Sequence, residues 1–291
     1  MLRKNFVEQY DYLSWVNRVA WLDLVISNPE FSAKIESATK ELMGENGPHP
    51  SVQQIINTSK LELHFTAYHS TESLLGLLFG FLIEPSLPWV WLTCYRPVEF
   101  AGLVNQLAEK GLAMFGTDEE SIARTLFFNS TEPKYQVDID TSVKFAVTYF
   151  KMLAKEFQNK ADYNSYKHGL RTLKLHEFRA QLGNVKWEEL ATIYLDITDP
   201  IEVQNELVSD LHLVVKAIDY ERSERIIIAN TKLMHNLFEI QKAIATQEGT
   251  QKGTLCLFGK DDATQILRPT KTGNVMNTMV LSPDPLVKRR R

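Results

Sequence analysis

Cysteine is scarce in this chain. Cys94 and Cys256 are the only two in 291 residues, and their surroundings are dissimilar. Neither a disulfide framework nor a cysteine zinc site is expected, and a reducing compartment suits the chain. An excess of basic charge is also missing: the formal net charge is -4. A global field attracting nucleic acid is thereby excluded, and only a local patch is left open. Long hydrophobic runs are absent too. The longest, Leu74 to Ile83, is far too short to span a bilayer, so no membrane partner is expected. The opening residues, MLRKNFVEQYDYLSW, scatter charge where a signal peptide has an apolar core, which points to a cytoplasmic location. No Gly-x-Ser-x-Gly and no His-Glu-x-x-His occur, and Leu257-Phe-Gly-Lys260 lacks the glycine spacing of a phosphate loop. No internal repeat of fixed period is visible.

What is present is ordinary globular composition, 44% hydrophobic and 23% charged, with room for a substantial core. The organising stretch lies between Pro50 and Pro85. Val52, Ile55, Ile56, Leu63, Ala67, Leu74, Leu75 and Leu78 recur at helical spacing, which predicts one long helix over 51–83. Past Ser73 it is apolar all round, as a helix is in the middle of a bundle. Residues 5–27 carry Phe6, Tyr10, Leu13, Val16, Ala20 and Leu24 in a 3–4 rhythm, predicting a single amphipathic helix stopped at Asn28-Pro29. A shorter helix is expected over 31–42. Trp89 to Cys94 reads as a β-prone or irregular segment, and Pro97 opens a helix to about Gly111. Thr117-Asp-Glu-Glu120 resembles a capping box. Asp140 is expected to cap a second long helix, 140–168, buried through Val143, Ala146, Val147, Phe150, Leu153, Ala154 and Phe157.

The pattern changes after Gly183. Ile193, Leu195 and Ile197 alternate with Thr192, Tyr194 and Asp196, a half-buried strand ended by Asp199-Pro200. Leu207 to Ile218 fits a strand or a helix, and a strand over 211–217 is preferred. Asp219 then opens a helix from Tyr220 to about Thr246. Residues 249–291 are rich in Thr, Gly, Asn and Pro, with β-prone pieces at 255–258, 265–267 and 276–281. The fold class expected is therefore mostly α: a helical bundle around two long helices, with a small β component in the C-terminal third. Three parts follow: a bundle over 1–183, strands and a long helix over 184–248, and a β appendage or tail over 249–291.

Two polar patches stand out. The first is His64, Tyr68, His69 and Glu72, of which His64, Tyr68 and Glu72 step by four and share a helix face. The second is Tyr163, Asn164, Lys167, His168 and Arg171, with Asn164 and His168 four apart. Brought together, an imidazole beside a carboxylate and a cation would suit general acid–base work, so His69, Glu72, Asn164, Lys167, His168 and Arg171 are the candidate catalytic residues. The competing reading is that these groups satisfy one another inside a bundle or face solvent. No metal or other cofactor is expected, because His-x-x-Glu occurs once and in the reverse order of the carboxylate-bridged iron pattern. His49, His212 and His235 have no partner recognisable in the sequence, and Lys288 to Arg291 reads as a solvated basic tail.

The stretches His69-Ser-Thr-Glu72 and Tyr163-Asn-Ser-Tyr-Lys-His-Gly-Leu-Arg171 resemble those of uncharacterised bacterial helical proteins in which a Y-N-x-x-K-H-G-x-R-like stretch ends a long helix. The arrangement is also distantly similar to the HEPN superfamily of helical bundles, over roughly residues 50–180. That resemblance implies a metal-independent ribonuclease of toxin or defence systems, with RNA as partner. Its Arg-then-His signature matches here at Arg171 and His176, whereas no Arg precedes His168 at that distance. Two functions are thus carried forward. One is a non-catalytic or ligand-sensing cytoplasmic helical protein, with homodimerisation through an apolar long helix. The alternative is an HEPN-like ribonuclease.

Overall fold

The structure is a computed structural model. It describes residues 2–44, 46–116, 118–129, 135–158, 160, 163–164, 218–246 and 254–268, together with the backbone of strands at 172–182, 185–197, 201–203, 206–208, 211–217 and 276–281. The chain is mostly helical. In order, the helices are α1 Leu2–Gln9, α2 Ser14–Ser27, α3 Pro29–Met43, α4 Val52–Ile83, α5 Pro88–Cys94, α6 Pro97–Lys110, α7 Glu119–Phe127, α8 Gln136–Gln158, α9 Tyr220–Thr246 and α10 Lys260–Leu267. The chain divides into two compact units. The first comprises 1–21, 66–159 and 221–269; the second comprises 22–65, 160–220 and 270–291.

Local chemistry explains most helix ends. The Asn28 side chain accepts from the Phe31 N–H at 3.1 Å, with Pro29 in the first turn, so α3 starts on a cap and a preset φ. Ser51 and Gln54 form a reciprocal box at the start of α4: Ser51 N–H donates to Gln54 Oε1 at 2.9 Å, and Gln54 N–H donates to Ser51 Oγ at 3.3 Å. Arg96 N–H donates to Glu99 Oε2 at 3.0 Å ahead of Pro97. That hydrogen bond and the Arg96 side chain hold the Glu99 carboxyl below its ordinary range.

Several expectations are corrected. Residues 5–27 form two helices, because Asp11 caps α2: its Oδ1 accepts from Ser14 N–H at 3.1 Å. The break resets the helical phase, so Val19 and Val25 are buried, while Leu13, Val16 and Leu24 are exposed. Trp89–Cys94 is helix α5, entered through Pro88 and sustained by Trp91 stacked on Tyr95, ring centroids 4.8 Å apart. The cap of α7 is Asp118, not Thr117: its side chain accepts from Ser121 N–H at 3.0 Å. The second long helix begins four residues before Asp140, which pairs with Arg124 instead of capping, and it ends at Gln158. Residues 265–267 are the end of α10.

The interior of the first unit is aromatic. Leu74, Leu75, Leu77, Leu78 and Phe79 of α4 are all fully buried, consistent with a helix apolar on every side. Phe79 meets Phe100 edge-on at 5.6 Å and Trp91 at 5.9 Å. Gly76 and Gly80, one turn apart, let α5 approach closely. A Cβ at Gly80 would stand 3.0 Å from the Pro88 carbonyl oxygen, and one at Gly76 3.1 Å from Leu92.

In the second unit, the first half of α4 buries Leu61, Leu63 and Phe65. Lys60 Nζ sits 4.6 Å from the Tyr220 ring centroid, a cation–π contact. Its backbone strands are β1 Thr172–Leu182, β2 Val185–Ile197, β3 Ile201–Val203, β4 Glu206–Val208, β5 Leu211–Ala217 and β6 Met276–Leu281. All pairings are antiparallel, in the order β1-β2-β5-β6 with a separate β3-β4 pair. Thr172 lies opposite Tyr194, Ile193 opposite Val215, and Leu211 opposite Leu281.

Candidate functional site

Three helices of the first unit bring polar side chains into its apolar interior. Tyr149 of α8 donates its hydroxyl hydrogen to Asn230 Oδ1 of α9 at 2.7 Å, and its oxygen also lies 3.3 Å from the Ile226 carbonyl. Asn230 Nδ2 donates to Ser70 Oγ at 2.9 Å and to Thr71 Oγ1 at 3.2 Å, both on α4. The orientation of the amide follows from the network. Ser70 spends its own hydrogen on the Ala67 carbonyl at 3.0 Å, so it can only accept from Asn230. Tyr149, Asn230 and Ser70 are all fully buried, and an unmet polar group there would cost about 1–3 kcal/mol. Burial pushes the Tyr149 hydroxyl well above its ordinary range; the Glu156 carboxylate adds to this and the Arg222 guanidinium opposes it. The phenol is therefore a neutral donor at physiological pH.

Two turns further on α8, Glu156 takes a two-point ion pair from Arg222, whose side chain is 8% exposed. Arg222 Nε also donates to the Arg268 carbonyl at 3.2 Å, just past the end of α10. This contact is the far end of a longer docking. Residues 254–258 run without regular structure and are held by side chains of α8 and α9. Asn236 accepts from Cys256 N–H at 2.7 Å and donates to the Cys256 carbonyl at 2.8 Å, clasping one residue's main chain on both sides. Ser142 Oγ accepts from Phe258 N–H at 2.8 Å and donates to the Asp138 carbonyl at 2.8 Å. His235 Nε2 lies 2.7 Å from the Thr254 carbonyl and Nδ1 lies 2.9 Å from the Tyr12 hydroxyl. A carbonyl can only accept, so Nε2 carries the hydrogen and, in the neutral ring, Tyr12 donates to Nδ1.

The clasp ends on Phe258. Its ring is 1% exposed, stacks on Phe145 at 4.3 Å, and has Lys232 Nζ 5.4 Å from its centroid. Full burial of such a side chain contributes about 1.5–3 kcal/mol, and a well-placed aromatic pair about 0.5–1.5 kcal/mol more. The arrangement holds the chain's own residues 254–258 through the main chain, two residues ahead of an aromatic anchor.

The residues singled out from the sequence fare differently. His64 is buried with its ring 5.4 Å from that of Phe65. The Tyr68 ring lies 6.2 Å from that of Phe157. His69 and Glu72 are half-buried, and the Glu72 charge, after burial itself, raises the Tyr95 hydroxyl. In the second unit Tyr163 is fully buried and Asn164 is exposed, its N–H bonded to the Lys160 carbonyl at 2.9 Å. Lys167, His168 and Arg171 lie outside the described residues. Among the described residues no group of three or more His, Cys, Asp or Glu could hold a metal ion. Nor, among them, is any helix long and apolar enough to cross a membrane.

No family model, no curated protein and no solved structure matches this chain. The groups that geometry brings forward, Ser142, Tyr149, Asn230, His235 and Asn236, were not singled out from the sequence as site residues. A signal for two of them was present: Asn230 and Asn236 stand at core positions of an amphipathic helix, where a short amide is costly unless it has partners.

Proposed function

We propose that the protein is a non-catalytic, ligand-sensing helical protein of the cytoplasm, and that its working surface is the groove of α8 and α9. One observation carries this reading: Asn236 holds both main-chain groups of Cys256 while Phe258 fills an aromatic pocket. Polar side chains here are committed to holding a chain segment, which is the chemistry of a binding protein. Two free thiols, Cys94 and Cys256, accord with a reducing compartment. We read the paired strands of residues 172–217 and 276–281 as the small β component of the C-terminal third.

The alternative is an HEPN-like ribonuclease using His69, Glu72, Asn164, Lys167, His168 and Arg171, and it rests on the sequence resemblance. One experiment separates the two. Purified wild-type chain is incubated with single-stranded and structured RNA, alongside His168→Ala. The binding reading expects no cleavage by either. Cleavage by the wild type that disappears in a normally folded His168→Ala chain overturns it and establishes the ribonuclease.

A further inference from the structure

We draw no further inference here: the strongest candidate, the apolar patch that Leu13, Val16 and Trp21 leave exposed along α2, carries nothing because nothing in the structure shows what covers it.

Discussion

Asn230 is the residue whose replacement tests the interior network most sharply. Asn230→Leu keeps nearly the same volume and removes three hydrogen bonds: the one accepted from Tyr149 and the two donated to Ser70 and Thr71. At about 1 kcal/mol net for each, the variant loses about 3 kcal/mol. Tyr149 and Ser70 keep their carbonyl partners at Ile226 and Ala67, so neither hydroxyl is stranded. Tyr149→Phe acts differently, because it leaves Asn230 Oδ1 buried without that donor, at about 1–3 kcal/mol. Combined, the two substitutions cost less than their sum by about 1 kcal/mol, since the second removes a group the first had already stranded. The assay is urea unfolding followed by tryptophan fluorescence and circular dichroism, with equal slopes required before midpoints are compared. Single-variant losses below about 0.5 kcal/mol, or additivity within that margin, would refute the network. The same pair carries a pH dependence. The folded Tyr149 phenol is raised above its unfolded value near 10, so its contribution is whole below that pH. Above it, the unfolded phenol ionises first and stability falls. Stability measured at pH 9 and pH 11 should therefore fall further in the wild type than in Tyr149→Phe.

Two further outcomes are expected. Glu156→Ala leaves the largely buried Arg222 guanidinium without its carboxylate; because Glu156 is itself 38% exposed, the loss is about 1–2 kcal/mol, below the figure for a fully buried pair. Glu156→Gln, which keeps an acceptor, should lose less in the same urea assay. Cys94 is exposed, whereas burial pushes the half-buried Cys256 thiol up, with Lys232 opposing. A thiol reagent at pH 8 should modify one thiol faster than the other, by on the order of tenfold. Asn236→Ala, by loosening Cys256, should bring the two rates together; two equally fast phases in the wild type would contradict the clasp.

Helix extents were largely legible in the sequence, and the reasons are local. Pro50, Pro85 and Pro97 bound helices because proline lacks an N–H and fixes φ. The run from Val52 to Ile83 declares itself by an uninterrupted 3.6-residue period, and Tyr220 to Thr246 by an opening acid with no breaker inside. Where reading failed, a nearby group had overridden the pattern. Asp11 capped a new helix, α2, within an unbroken apolar rhythm. Pro88 and a Trp91–Tyr95 stack made a helix of a segment whose residue types favour strands.

The candidate site was far less legible. The patch expected on α4 centred on His69 and Glu72. The network that α4 joins in the described interior uses the small hydroxyls between them, Ser70 and Thr71. Their bonding partner lies 159 to 160 positions away in the chain. Likewise nothing near His235 announces Tyr12, 223 positions earlier, or that residues 254–258 will lie alongside it. Capping and i to i+4 bonding are fixed by neighbours in the chain, so composition and spacing alone decide where a helix begins and what it buries. Which residues of two helices face each other depends on their axial offset and crossing angle. Those are set by how whole faces interlock, and only the assembled chain determines them.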